Sequence, residues 1–434
     1  MINKQHIEKV IRQIEHNLND VIDILKISNM SYTSSSQLYR DFYNITGHSV
    51  KEYIRKRRIS KVLTLIKHSN LSLSVIANTC GYSTQQALCK VIKSMIGQTP
   101  LEYKQSDNYY YFPEFNKEYN QQIIVSTETI PTTTKLIYYS SQLKDIENNA
   151  VIKFLELIPD YSKRIFGRSS KQFNKQFYYE IYVEITEDQK QLLIQDFVIC
   201  ELTPSIATLY AKTTVENVDE AISSAWNYLY MDWLNTSMFE QSGIEYFEEY
   251  KHRCGKINRL VLYLPIYKRV GYNKITIQSV DDMMFLVSRS SCKNSEEEAS
   301  QRVFDFINSN HTYVLKDTEE YFRTRIGKEH ICGIRLKYKL NILQTDNIDN
   351  IEIFRTSGFF AVLECGCYGK STVFENLLIS WINDNGFEKE DIIFTTYNIK
   401  NGFDDKNIQT KIYIKIKMGI LDNKSYYFND KIGT

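Results

Sequence analysis

Five side chains in the stretch GYSTQQALCKVIKSMIGQTPLEYK, Gly81 to Lys104, share one face of a helix. Gln85, Gln86, Cys89, Lys90 and Lys93 fall at i, i+1, i+4, i+5 and i+8, while Ala87, Leu88, Val91, Ile92 and Met95 fall on the opposite face. Amide and ammonium donors with no carboxylate among them suit nucleic acid. Glutamine pairs bidentately with adenine N6 and N7, and lysine reaches guanine or phosphate. Ser83 or Thr84 is placed to cap such a helix, and Gly81 to make the tight turn before it. Just upstream, SVIANT (Ser74 to Thr79) reads as a short helix that packs Val75, Ile76 and Ala77. A short helix, a glycine turn and a second helix with a donor face is helix-turn-helix spacing.

The pattern recurs when the frame is shifted by 50 residues. NMSYTSSSQLYRDF, Asn29 to Phe42, sets Ser31-Tyr32-Thr33 against Gly81-Tyr82-Ser83, and Leu38 and Phe42 against Leu88 and Ile92. Its exposed positions are then Ser35, Ser36, Tyr39 and Arg40. Between the two units, SVKEYIRKRRISKVLTLIKHS carries apolar residues at helical spacing and reads as one long connecting helix. RKRR, Arg55 to Arg58, lies across that helix and reads as a solvated face that neutralises phosphates.

These residues resemble the DNA-binding domain of the AraC/XylS regulator family, with spacing close to its MarA/SoxS/Rob branch. The matching positions are Arg40-x-Phe42, Thr46-Gly47, Tyr53-Ile54 with Arg57, Ile76-Ala77-x-x-x-Gly81-Tyr82, Gln85-Gln86, and Gly97-Gln98-Thr99-Pro100 with Tyr103. Ser31 stands where the first turn of the family usually carries glycine, and Ile92 where the second unit usually has phenylalanine. The resemblance implies seven helices, two helix-turn-helix units and two recognition helices in successive major grooves, about 34 Å apart. It places Ser35, Ser36, Tyr39, Arg40, Arg57, Gln85, Gln86, Cys89, Lys90 and Lys93 at double-stranded DNA. It also implies a transcription activator that contacts RNA polymerase.

Charge supports a division of labour. Residues 1–104 carry 15 Lys and Arg against 7 Asp and Glu, whereas the remaining residues carry 38 against 45, so the head alone is built for a polyanion. With 434 residues, several domains are expected. No run approaches the roughly 18 apolar residues that cross a bilayer, and MINKQHIEKVIRQIE has no signal-peptide pattern, which points to the cytoplasm and away from membranes. The eight cysteines are scattered, and Cys365 and Cys367 form the one close pair; buried reduced thiols are the reading. No Walker loop, HExxH, GxSxG or metal-ligand histidine spacing is present, so no catalytic residue, metal or cofactor is expected.

Beyond QSDNYYYFPEFNKEYNQQ, a Tyr- and Asn-rich link interrupted by Pro113, alternating apolar runs turn at Pro131, Pro204, Asp281 and Gly358, at intervals of 73, 77 and 77 residues. Each run reads as two strands, followed by an amphipathic helix and a closing strand, so the body is a fourfold strand-strand-helix-strand repeat. ELTPSIATLYAK, AWNYLYMDWLNTSMFEQSG, FEEY and LVLYLPI resemble the GyrI-like effector-binding fold; GFFAVLECGCYG, LLISWINDNGFE and KIYIKIK resemble it more loosely. The fold class expected is therefore multidomain. It has an all-α double helix-turn-helix domain (1–106), a linker (107–122), two α+β GyrI-like domains (123–270 and 274–418) and a tail (419–434).

The resemblance implies a ligand groove lined by aromatics and an acidic residue, suited to a bulky apolar cation. Candidates are Tyr138, Glu180, Tyr182, Trp226, Trp233 and Tyr263. Val261 and Lys411 stand where the family typically has a carboxylate, two residues before the last-strand tyrosine, which argues against the hydrolase activity of some relatives. Glu180 could substitute, or simply alternate toward solvent; Trp226 and Trp233, seven apart on one helical face, read as core or as ligand box. A sensor of a small-molecule effector is the leading reading, and a protein-interaction module the alternative.

Overall fold

The computed structural model describes residues 4–20, 22–23, 27, 34–115, 122–173, 176–253, 256–269, 274–310, 320–336, 351–365, 371–398 and 409–418. Six helices form the N-terminal region among these residues: α1 Lys4–His16, α2 Ser35–Thr46, α3 Val50–His68, α4 Leu73–Thr79, α5 Gln85–Ile96 and α6 Pro100–Gln105. In α1, Ile7, Val10, Ile11 and Ile14 make a single stripe that buries against Leu38, Phe42, Val50 and Tyr53. Phe112 and Phe115 join the same core, and the Phe112 and Phe115 amides donate to Ser60 at 2.9 Å and Tyr53 at 3.1 Å. The first part of the expected linker is thus packed structure, because its aromatic rings gain more from burial than from solvent. Ser31, Tyr32 and Thr33 lie outside the described residues.

The chain divides into two compact units, 1–63 with 89–268 and 64–88 with 269–434. The first holds β1 Tyr110–Tyr111, β2 Ile124–Ile130, β3 Thr133–Ser140, α7 Ile146–Leu157, β4 Ile165–Phe173, β5 Gln176–Val183, α8 Glu187–Leu193 and β6 Val198–Thr203. Then come β7 Ile206–Glu216, α9 Asp219–Asn227 running on as a π-helix over Tyr228–Trp233, β8 Phe239–Gln241, β9 Phe247–Arg253 and β10 Lys256–Lys268. Their sheet runs β1-β2-β7-β10-β9-β4-β5-β3-β6, with β8 beside β10. Alternation along it puts Tyr179, Glu248 and Tyr250 on one face and Phe166, Tyr182, Phe247, Glu249 and Tyr263 on the other.

The second unit holds β11 Ile275–Ser290, α10 Ser295–Asn310, β12 Glu320–Ile326, β13 Glu329–Leu336, β14 Ile351–Cys365, α11 Ser371–Asp384, β15 Glu388–Asn398 and β16 Gln409–Lys417. Its strands close into a barrel in the order β11-β13-β12-β15-β16-β14. Met283, Phe285 and Val287 alternate into the barrel, while Met284 and Leu286 point to α10.

Two details differ from the expected repeat. Each helix is followed by a pair of antiparallel strands, β4–β5, β9–β10, β12–β13 and β15–β16, instead of one closing strand. In the barrel, the turns expected at Asp281 and Gly358 are bends inside single long strands. The β11–β14 register shifts between Val280 and Met283, and Gly358 takes φ +109°. A bulge and a left-handed glycine curve a strand without ending it, as barrel closure requires.

Candidate functional sites

Helix α2 starts at Ser34, whose hydroxyl accepts from the Gln37 amide at 3.2 Å, and stops at Gly47, where φ is +74°. Leu38, Phe42 and Thr46 are buried, with the Phe42 ring edge-on to Tyr53 at 5.5 Å. Ser36, Tyr39 and Arg40 are left exposed, and Ser35 is half-buried. In the second unit of the motif, Gly81 has φ +76° and the Tyr82 amide closes the turn on the Ala77 carbonyl at 2.9 Å. Thr84, of the two candidate caps, accepts from the Ala87 amide at 3.1 Å. Leu88 and Ile92 are fully buried; Gln85, Gln86, Lys90 and Lys93 are exposed, and Cys89 is half-buried. Ile92 therefore fills the core position as an aliphatic swap.

Arg57 is a correction. The guanidinium is 6% exposed, donates to the Glu15 carboxylate at 2.9–3.1 Å and to the Phe112 carbonyl at 2.6 Å, and cannot lie on a DNA surface. Burial works against its charge, but Glu15 beside it raises its pKa above the usual arginine value. Glu15 also accepts from the Tyr53 hydroxyl at 2.8 Å. Arg58 donates to the Leu18 carbonyl at 2.7 Å, so half of RKRR braces the helices and Arg55 is the exposed member.

On one face of the first unit's sheet, Glu180, Tyr182 and Tyr263 come together with Phe166, Tyr210 and Phe247. Glu180 is 5% exposed, accepts from the Tyr182 hydroxyl at 2.8 Å and stands 3.4 Å from Lys135 Nζ. Burial works to raise its pKa, but the Tyr182 hydroxyl and Lys135 hold it below the usual carboxylate value. Glu249, from β9, accepts from Arg164 Nε and Nη2 at 3.1 Å each and from the Tyr263 hydroxyl at 2.7 Å. Arg164 lies over Phe166 at 4.6 Å and Arg168 over Phe247 at 4.9 Å. The protein's own guanidinium groups thus occupy the aromatic faces, and both carboxylates are compensated.

Tyr138 and Trp226 are on the other, helix-covered side. Tyr138 pairs across strands with Tyr179 and packs on Phe197 at 5.6 Å. Trp226 donates Nε1–H to Glu248 at 3.0 Å and lies 4.9 Å from the Tyr246 ring and 5.7 Å from Tyr230. Glu248 is 8% exposed, and no salt bridge reaches it or Glu147 among the described residues. Burial raises the Glu248 pKa, and burial with Glu248 and Asp219 nearby raises Glu147 to about 7. The Tyr179 and Tyr250 hydroxyls meet at 2.7 Å beneath them. Trp233 is apart from this group, stacked on Phe239 at 5.9 Å, because the π-helix between the two tryptophans turns them to different sides. Glu248 and Glu147 are not among the candidates that the sequence offers. FEEY alternates two glutamates to opposite faces, and that doubled acid was the available signal.

In the barrel, Phe285, Phe322, Phe360 and Phe394 fill the interior, with Phe285 and Phe322 at 4.4 Å and Phe394 stacked on Tyr413 at 4.7 Å. Lys411 pairs across strands with Glu364 and Thr396. No group of three or more metal-ligating side chains occurs among the described residues, and none of their helices is long and apolar enough to cross a membrane.

A helix-turn-helix domain family model matches residues 27–106. The multiple antibiotic resistance protein MarA of Escherichia coli K12 is 31% identical over 101 residues, which are 23% of this chain and 80% of MarA. The Msm operon regulatory protein of Streptococcus mutans is 28% identical over 101 residues, 23% of this chain and 36% of that protein. Among solved structures, the DNA-binding domain of AdpA in complex with a target DNA is 21% identical, with 23% of this chain and 88% of that chain covered and a TM-score of 0.22. The C-terminal domain of the response regulator YesN from Fusobacterium nucleatum is 22% identical, with 23% and 96% covered and a TM-score of 0.22.

Proposed function

The chain belongs to the AraC family of helix-turn-helix transcription regulators, and from that premise we propose that α2 and α5 read the two halves of one duplex DNA site. The observation that carries this reading is the exposed face of each helix: Ser36, Tyr39 and Arg40 on one, Gln85, Gln86, Lys90 and Lys93 on the other. Amides on α5 select adenine, while the hydroxyls, phenol and arginine of α2 suit guanine and phosphate, so the two half-sites differ in sequence. Residues 1–106 form the DNA-binding part in this reading. The two domains of the body, 123–270 and 274–418, act as GyrI-like modules, and the regulator activates by touching RNA polymerase.

The body senses a small amphipathic cation. Supporting that reading is the Trp226 cluster, where aromatic rings surround a carboxylate with no cationic partner among the described residues. The sheet face of Glu180 and Tyr263 supports it less, since arginine already sits on its rings.

Genome-wide footprinting of the tagged full-length protein supplies the site, and fluorescence anisotropy on that duplex tests the reading. Affinity should fall steeply with salt through counterion release. Gln85→Ala or Gln86→Ala should cost about 1–3 kcal/mol on the footprinted site while leaving random DNA unchanged. Equal losses on both duplexes would remove base reading from α5.

A further inference from the structure

A cavity of about 280 Å³ lies within the first unit, where the C-terminal end of α2 meets β7, β10 and α9. That is near the lower end of the volumes that hold small ligands. Arg259 is the one cationic side chain among its described lining residues, and Glu216 the one acid. These two are cross-strand neighbours, yet no salt bridge joins them. Among the described residues the Arg259 guanidinium makes one hydrogen bond, to the Asn44 carbonyl at 3.3 Å at the end of α2, and lies 5.9 Å over the Tyr43 ring. A Cβ on Gly47 would stand 3.0 Å from its Nη1, so the close approach of the guanidinium to this turn depends on glycine. His48, also in the wall, has its pKa lowered to about 4 by burial, Lys56 and Arg259, and is neutral at pH 7.

Two further features complete the site. Gln122 is 7% exposed, and its Oε1 has no hydrogen-bond partner among the described residues, while its Nε2 donates to the Pro113 carbonyl. A buried acceptor in a cavity wall is costly unless something donates to it. Ile45 and Val215 supply apolar walls.

We infer that this cavity binds a small organic acid, whose carboxylate takes the Arg259 guanidinium, whose apolar body lies against Ile45 and Val215, and whose hydroxyl or amine donates to Gln122. A carboxylate is a stronger partner for guanidinium than a single peptide carbonyl. Drawing Arg259 away from Asn44 and Tyr43 alters the C-terminal turn of α2, the helix that exposes Tyr39 and Arg40. Occupancy and DNA affinity are thereby coupled, each changing the other by the same factor. The coupling rests on the DNA reading proposed above; the binding does not.

The test uses full-length protein with 4-hydroxybenzoate as the probe, and the uncharged 4-hydroxybenzamide as its control. Calorimetry should show binding of the acid and none of the amide, and Arg259→Gln should weaken the acid at least tenfold. Ser224→Trp, which fills the cavity from α9 and leaves Arg259 in place, should abolish binding, so a folding defect in one variant does not decide the result. In anisotropy, saturating acid should change the DNA Kd of the wild type at least threefold and leave that of Arg259→Gln unchanged. No heat from the acid, equal binding of the amide, or full binding by Ser224→Trp would overturn the site. Binding of the acid with an unchanged DNA Kd would overturn the coupling alone. Failure of the acid-free protein to bind its footprinted duplex would count against the DNA reading and leave the site standing.

Discussion

Arg57 stands in a run of four basic residues, yet its donors are spent inside the fold on Glu15 and Phe112. Removing one partner of a buried pair strands the other charge. Arg57→Ala should therefore destabilise the helical region by about 3–5 kcal/mol, and Arg57→Lys should recover little because lysine cannot form the bidentate fork. Arg55→Ala, at an exposed position, should move stability by less than about 0.5 kcal/mol; urea melts followed by circular dichroism separate the three. Glu147 gives a second residue-level test. Its pKa is raised to about 7 in the folded chain from 4.5, so the folded state holds a proton that the unfolded state releases across that window. Its contribution is full below pH 4.5 and is lost as pH rises through 7. His48 runs the other way: with its pKa lowered from 6.5 to about 4, its contribution is full above 6.5 and lost as pH falls toward 4. The readout is the difference between wild-type and Glu147→Gln melting curves, which should change in favour of the variant between pH 5 and pH 8. A difference flat with pH would show that Glu147 titrates normally.

At the scale of elements, the helices of the motif and of the expected repeat were legible, and six of the sixteen described strands were not. Helical spacing is a long-range pattern, and the stripe of α5 survives two glutamines and a cysteine because Leu88 and Ile92 keep the buried positions. Strands β4, β9, β12 and β15 carry charged residues, as in FEEYKHR and EKEDIIFTTYN, so apolar alternation did not disclose them. Their charges are spent across the sheet: Glu249 of β9 reaches Arg164, and Lys415 of β16 reaches Glu390 of β15 at 3.3 Å. The candidate ligand residues were split for a related reason. Seven residues bring two tryptophans to one face of an α-helix, but the wider π-turn over Tyr228–Trp233 sends Trp226 to Glu248 and Trp233 to Phe239. A cation at the first tryptophan should quench fluorescence. Titration with tetraphenylphosphonium should show saturable quenching that Glu248→Gln weakens at least tenfold and Glu180→Gln leaves alone. Quenching unaffected by Glu248→Gln would place any such ligand elsewhere.

For the molecule as a whole, the basic region and its family were readable because about a hundred residues carry ordered motifs, and the match to MarA covers that same 23% of the chain. A β-rich body was also readable, since alternating apolar runs recur around Pro131, Pro204, Asp281 and Gly358. What those runs do not disclose is how the strands close. The first unit's strands spread into an open ten-stranded sheet, and the second unit's strands close into a barrel. In the barrel, a register shift between Val280 and Met283 and a glycine at 358 bend the long strands β11 and β14. A barrel without edges, plugged by phenylalanine rings, has no strand that can peel away by itself. In deuterated solvent its central amides can exchange only when the closed ring opens as one event. The deuterium clock of β11, β13 and β16 then reads the full unfolding free energy of that unit, while the outer strand β6 of the open sheet, paired along one side only, exchanges by local fraying.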